Sequence, residues 1–432
     1  MYLSKNNFLS VLLAFFPISF IAGNMIINLN LALLIISSII LFKSDLFRIK
    51  FFILDKLLIL YFLLIIFTGF INDYYFFSEK MAWKGYFSTI IKSIFFLKYL
   101  ILYFIIRYLI EKEKLNLKFF FITCALSTIF VSFDIFYQFL NGKDIFGHEI
   151  IDETRKLGGP FGDELIAGSF IQRFSFFSFF LLPFFFSDVS KKYSKLIVPL
   201  LMVIFFVGII LSGNRMPLIL FIFTSILIII FQKEVRKFIL PIIFSFIIIL
   251  FLIISTNSKV KDNFFNFYIQ ISKMTSILIS QDLTKKDTPQ YFKEFSTFYG
   301  TWQMNKFIGG GLKNFRYYCH KRPNIDKSSK FVCSMHPHSY YLEILTETGI
   351  IGFFIICLIF LNILFIIFYR KYFSENLIKN NHIVVPFIFL FITEIFPFKS
   401  TGSFFTTGNT TYLFLIIAIL IGLIRKYDLN RN

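Results

Sequence analysis

Apolar runs of about 15–24 residues recur along most of this 432-residue chain, each close to the roughly 20 residues that an α-helix needs to cross a bilayer. With 57% of its residues hydrophobic, the chain lies far outside the range of soluble domains. The expected class is an all-α polytopic membrane protein, because a spanning helix satisfies its own backbone polar groups where no water is present. The runs fall near 8–21, 26–42, 57–71, 87–110, 119–140, 165–186, 196–211, 216–231, 238–254, 349–368, 383–397 and 412–424, which makes about 12 transmembrane helices. The first is expected to be a retained helix, since no small-residue cleavage site is followed by a soluble region. The abundance of Phe, Ile, Lys and Asn over Ala reflects nucleotide bias as much as selection, so no function is read into the phenylalanines.

Lysine and arginine concentrate in alternate connections: Lys43, Arg48, Lys50 and Lys56; Lys112, Lys114 and Lys118; Lys191, Lys192 and Lys195; Lys233, Arg236 and Lys237; Arg370, Lys371 and Lys379; and Arg425, Lys426 and Arg431 at the tail. By the positive-inside rule these connections and both termini face the cytoplasm. The net charge of +19 is then largely an orientation signal, and no nucleic-acid partner is needed to explain it. The expected organisation is a first set of helices over 1–254, a large, partly helical external loop over 255–348, and the remaining helices over 349–432. The shorter segments 72–86, 141–164, 212–215 and 398–409 fall on the same external side.

Charges that break this pattern are the informative ones. Lys92 and Lys98 lie inside the fourth run and Asp134 inside the fifth, where a charge is costly and faces a partner or a water-filled cavity. A structural Asp134–lysine pair and a place in a substrate path both fit. In the external stretch 134–169, the cluster Gly158-Gly159-Pro160-Phe161-Gly162 suits tight turns, and Asp163 with Glu164 suits a helix N-terminus. A plain connector accounts for all of these but leaves Arg155 and the nearby Arg173 without a reason. The turn Ser212-Gly213-Asn214-Arg215-Met216-Pro217 places an arginine at an external interface, against the positive-inside bias. Its planar fork suits a phosphate, and snorkelling to lipid headgroups is the alternative.

The long external interval has two parts. Val260, Phe264, Phe267, Tyr268, Ile271, Met274, Ile277 and Leu278 recur at helical spacing among charges, predicting an amphipathic helix that lies on the membrane or packs against the bundle core. The second part carries Gly309-Gly310-Gly311-Leu312-Lys313-Asn314-Phe315-Arg316, whose glycines suit a phosphate cradle but lack the ending of a nucleotide loop. Cys319 and Cys333 fit a disulfide in an oxidising compartment, worth about 3 kcal/mol by loop entropy. The alternative is a zinc site from these two with His320, His336 and His338. His336 and His338 close the interval, where the hydrophilic loop meets a new apolar helix expected to begin near Gly349.

A polytopic bundle with a large external loop ending in His338-Ser339, nine residues, Gly349, two residues and Gly352 resembles the O-antigen ligase family and its wider polymerase and ligase superfamily. Further landmarks are 211–216, Phe161-Gly162-Asp163-Glu164 and 309–315, so that the similarity covers about residues 130–410. What the resemblance implies is a metal- and nucleotide-independent glycosyltransferase at the outer face of the bacterial inner membrane. Its donor is an undecaprenyl-diphosphate-linked glycan, its acceptor a sugar of the lipid A core or, in the polymerases, a second lipid-linked unit, and no cofactor is required. Many ligases carry an Arg-x-x-x-Leu pattern in the large loop; none occurs between 255 and 338, which leaves Lys313 and Arg316 to supply that charge.

The chemistry of the residues agrees with that implication. Cleaving a sugar–diphosphate bond leaves an anion, which Arg215 with Arg155, Arg316, Lys313 and Arg173 is expected to hold by charge-assisted hydrogen bonds. His338, with an ordinary pKa near 6.5, suits the acceptor-hydroxyl proton, and in-line attack inverts the anomeric centre. A structural imidazole at the start of a helix is the plainer reading of His338. His336, Ser339, Glu343, Gly349 and Gly352 are expected to support the site. A glycolipid flippase is the alternative of a different class; internal repeats and midplane polar residues would mark it, whereas the sequence shows no repeat and its informative polar residues cluster in the external segments.

Overall fold

The computed structural model describes residues 5–75, 88–150, 157–181, 190–280, 290–315, 319–322, 333, 338–375, 377, 381–400 and 402–431. Among these residues the chain is helical, with no strand beyond an isolated bridge between Lys143 and Glu149. Sixteen α-helices follow in order: α1 Lys5–Ala14, α2 Phe16–Ala22, α3 Asn24–Phe42, α4 Ile53–Tyr75, α5 Ser88–Phe96, α6 Lys98–Glu111, α7 Leu117–Asn141, α8 Ala167–Phe179, α9 Ser190–Leu211, α10 Arg215–Phe231, α11 Lys233–Thr256, α12 Ser258–Ser280, α13 Gln290–Trp302, α14 Tyr340–Phe365, α15 Val385–Glu394 and α16 Thr407–Arg431.

Every apolar run read from the sequence contains a helix among the described residues, but the runs differ in reach. Six helical stretches are long and apolar enough to cross a membrane: Asn24–Leu46, Ile53–Tyr74, Ser88–Glu111, Leu117–Asn141, Tyr340–Ser374 and Thr407–Leu429. A seventh results if 244–256 and 260–273, bent by 111°, form one broken span. The stretches Asn6–Ala22, Ile197–Leu211, Arg215–Phe231 and Val385–Glu394 are shorter. The first of these is two helices, parted at Phe15 just before the ring of Pro17.

α16 organises the bundle. It is apolar on every side over 412–424, and a helix of that kind is stable only when enclosed. It packs along α6, where Gly422 leaves room for Ile110, and its window is 83% buried against 28–56% for the other spans. Beside it Arg107 of α6 is fully buried, pairing with Asp55 of α4, which also accepts from Tyr103 at 2.8 Å. The charge inside this run is therefore neutralised locally.

The intramembrane charges singled out above resolve differently from a lysine–aspartate pair. Asp134 Oδ1 accepts the amide of Ile145 at 2.8 Å and so pins the 142–150 segment back onto α7. Lys98 donates to Asn28 at 2.6 Å and Lys92 to the Lys313 carbonyl at 3.3 Å. The expected amphipathic helix is present as α12, and Val260 and Phe264 in its first two turns pack against the core. The sharp bend before it carries Phe265, Tyr268 and Ile271 off the bundle, where they are exposed as in a helix lying on a bilayer.

Candidate functional site

The N-terminal turn of α14 is anchored by three side chains. Tyr340 Oη donates to Glu394 Oε1 at 2.6 Å, and Tyr341 Oη donates to the Ile395 carbonyl at 2.5 Å. Glu343, one turn on, accepts from the Ser403 hydroxyl and from the Phe404 amide. Three side chains on one turn thus tie α14 to the 394–404 connection. His338 stands immediately before this turn, half-buried, with φ +51°, and Ser339 after it is extended. A non-glycine residue held in the left-handed region costs on the order of 1–3 kcal/mol and persists only where its surroundings impose it. Here the stapled turn does so.

Tyr340, two residues after His338, leads into a buried charge cluster. Glu394 Oε1 accepts from Arg173 Nη2 and from Lys399 Nζ, each at 2.5 Å, while Arg173 Nε reaches Oε2 at 3.2 Å. Lys399 also lies 3.1 Å from Tyr340 Oη, and its ammonium sits 4.4 Å from the centre of that ring. Arg173 covers the ring of Tyr412 at 4.9 Å, and the Tyr412 hydroxyl donates to the Arg173 carbonyl at 2.9 Å. Two cations share one carboxylate. In the external connection after α15, burial pushes the Lys399 ammonium down to about 7, with Glu394 opposing and Arg173 adding to the shift.

Arg215 opens α10, at the positive end of that helix. The turn before it is fixed by Ser212, which donates to the Ile209 carbonyl at 2.7 Å, and by Asn214 folding back onto Ser212. Gly213 takes φ +69°, which spares the turn a side chain there. The turn meets α8 at Gly168, where a Cβ would approach Ser212 Oγ at 2.5 Å, and the Leu157 amide donates to the Ser212 carbonyl at 3.3 Å. Arg173 is five residues along α8 from Gly168, about 7.5 Å of helix rise. The Arg215 turn, α8 and the His338 turn are therefore consecutive neighbours.

The glycine triplet has a different job from a phosphate cradle. Its amides are taken: Gly309 donates to Asn305, Gly310 to the Thr346 carbonyl at 2.9 Å and Gly311 to the Glu347 carbonyl at 2.9 Å. Those carbonyls are free because α14, which begins at Tyr340 and not near Gly349 as expected, breaks at Gly349 with φ +68° and ψ −173°. Beyond the break the amides of Ile350 and Ile351 donate back to the carbonyls of Lys306 and Phe307. A side chain at Gly349 would collide with the Phe307 carbonyl. Gly352, one turn later, stands against Thr348 and Leu64.

Other expected residues are placed as follows. Lys313 is exposed at φ +52°, and its amide donates to the buried carboxylate of Glu347. Arg155, Arg316 and His336 lie outside the described residues. Cys319 and Cys333 are bonded to each other, with Cα atoms 5.7 Å apart, which removes both thiolates from the zinc alternative. Cys319 packs with Phe298 and Phe315 in a small cluster of its own. Glu394, Lys399 and Tyr340 were passed over in the sequence. The rule that flagged Lys92 and Asp134 applies equally to Glu394, an acid within an apolar run, and Lys399 is a further external cation.

On the far side of the 157–162 segment a cleft of about 630 Å³ opens between α2, α7 and the external loop, lined by Ile18, Ile21, Leu126, Phe130, Phe146 and His148. His148 Nδ1 is 2.7 Å from Asp144, which also accepts the His148 amide at 2.6 Å, and this carboxylate holds the imidazole above its ordinary range.

Fold and site together define a multi-pass helical membrane protein with a cation-rich centre at one end of its bundle. Residues 200–357 match the family model for O-antigen ligase. The matched stretch runs from α9 through the Arg215 turn, the long loop and the His338 turn into α14. No curated protein matches the chain. The family implies a membrane enzyme of glycosyltransferase type that works on lipid-linked glycans.

Proposed function

We propose that this protein is an O-antigen ligase that transfers a glycan from undecaprenyl diphosphate to a sugar hydroxyl of the lipid A core, at the periplasmic face of the inner membrane. The observation that carries this reading is the left-handed His338 turn, which leads into a helix start stapled by Tyr340, Tyr341 and Glu343, with Tyr340 bonded to the buried Arg173–Glu394–Lys399 cluster. A histidine on a backbone held in a left-handed conformation, two residues before a tyrosine bonded to buried cationic charge, suits a reaction that moves a proton while releasing a diphosphate.

In that reaction the acceptor hydroxyl oxygen attacks the anomeric carbon of the donor sugar. The bond from that carbon to the diphosphate oxygen breaks, and its electron pair leaves with the diphosphate. His338 takes the hydroxyl proton, a role typically worth about 10²–10⁴ in rate. Arg215, at the positive end of α10, holds the leaving anion, with Arg155, Arg316 and Lys313 as further external cations. Attack opposite the leaving group inverts the anomeric centre, and no step calls for a metal ion. With twelve crossings and both termini in the cytoplasm, this chemistry would fall on the external side.

The test is transfer by the purified full chain, with undecaprenyl-diphosphate glycan as donor, chelator present, and either lipid A core or a second lipid-linked unit as acceptor. Product on lipid A core supports the ligase. Elongated lipid-linked chains without that product would move the reading to a polymerase, and translocation without transfer would move it to a flippase.

A further inference from the structure

Among the described residues, the Arg173–Glu394–Lys399 cluster is short of one negative charge. Arg173 and Lys399 both bond Glu394, and the nearest further carboxylate, Glu343, is directed to the Ser403 hydroxyl and the Phe404 amide. The other groups around it are Tyr340 of α14, which donates to Glu394, and Tyr412 of α16, whose ring faces Arg173. Glu347 lies one turn beyond Glu343 and is served by the Lys313 amide, and His338 is two residues before Tyr340. Arg173, Glu394 and Lys399 are almost wholly enclosed, with side chains 12%, 2% and 4% exposed, so water screens the surplus poorly.

A buried surplus charge is costly unless something supplies its counter-charge. The Arg173–Glu394 pair is complete by itself; Lys399 is the charge in excess. We infer that Lys399 is the proton-linked counter-charge for the anionic lipid donor: protonated, it makes the cluster net positive and strengthens diphosphate binding, and neutral, it leaves a balanced Arg173–Glu394 pair. This rests on the ligase reading above, which supplies the diphosphate. The ammonium, pushed down to about 7 in the free protein, lies where a modest change of pH shifts its charge. By linkage, a donor that binds the protonated form more tightly raises the affinity of Lys399 for its proton by the same factor. A unit charge about 10 Å from the diphosphate, at an effective dielectric near 20, is worth on the order of tenfold in affinity.

The experiment measures binding of undecaprenyl diphosphate to the full chain in nanodiscs between pH 6 and 9, with undecaprenol as the neutral control, for wild type, Lys399→Met and Lys399→Arg. Wild-type affinity for the diphosphate is expected to fall about tenfold across that range. Lys399→Arg keeps the strong limit and Lys399→Met the weak limit at every pH, apart from the shallow slope of the ligand's own titration. Undecaprenol binding stays level in all three. A Lys399→Met protein with wild-type affinity and pH slope overturns the inference, as does equal loss of diphosphate and undecaprenol, which marks a packing role. A Lys399→Arg protein with the wild-type slope overturns it independently of how Lys399→Met folds. If wild type binds undecaprenol but shows no preference for the diphosphate, the ligase reading falls and this inference with it.

Discussion

Glu394→Gln is the substitution whose cost the structure defines best. The side chain is 2% exposed and accepts from Arg173, Lys399 and Tyr340 at 2.5–2.6 Å, with a further contact from Arg173 Nε at 3.2 Å. Glutamine keeps the volume and one carbonyl acceptor but removes the only carboxylate touching two buried cations. Removing one partner of a buried pair typically costs about 3–5 kcal/mol, because the remaining charge is left uncompensated. Adding Lys399→Met should return part of that loss, since a single buried cation remains in place of two. The expected coupling between the two changes is about 1–3 kcal/mol, of the sign that makes the double variant more stable than the sum of the singles. Unfolding in detergent followed by intrinsic fluorescence, across wild type, both singles and the double, measures it. A Glu394→Gln protein within about 1 kcal/mol of wild type, or costs that add within about 0.5 kcal/mol, would refute the account of the cluster as a shared counter-charge.

Four further outcomes follow from the site. His338→Ala should lose about 10²–10⁴ in transfer rate while remaining folded, and wild-type transfer by the folded variant would remove its role as base. Arg215→Ala should weaken donor binding by about 1.5–3 kcal/mol, read by titration with undecaprenyl diphosphate; unchanged affinity would remove the clamp. Gly349→Ala forces a Cβ into the Phe307 carbonyl at a left-handed position, and should cost about 3 kcal/mol or more and loosen the 306–311 segment to hydrogen exchange. His148 has its pKa raised by Asp144, so the stability it lends the external loop is fully present below pH about 6.5 and is lost as pH rises through the raised value. An NMR titration of its ring protons should show that value falling in Asp144→Asn, and no change would dismiss the pair.

Much of this was legible in the sequence because hydrophobic length is a coarse and forgiving signal. The run at 412–424 announced α16, and the positions of 26–42 and 119–140 were right to within a few residues. Crossing number was less legible: an apolar run of 10–17 residues reads much the same whether it spans a membrane or packs short within a bundle, as with Val385–Glu394. In the site, Arg215 and His338 stood out because local sequence marks them. Glu394 and Lys399 became meaningful only when α15 brought them beside Arg173 and Tyr340, 221 and 54 residues away along the chain for Glu394. The glycine triplet misled for a similar reason. Backbone amides that seem available in a linear reading are committed to a helix break some 36 residues later, and that break was hidden in a stretch whose side chains read as unbroken helix.

That break also bears on how the protein can be cut and recombined. Two amides from 310 and 311 and two carbonyls from 306 and 307 complete the hydrogen bonding of α14 on either side of Gly349. The long loop and the tenth apolar run are thus one folding unit that straddles the boundary drawn at residue 348. A chimaera exchanging only 255–348 with a relative would strand backbone groups at the membrane border unless its incoming loop kept the same register. Exchanging residues through the end of α14 keeps both halves of the joint together, and expressing the loop alone separates it from its own floor.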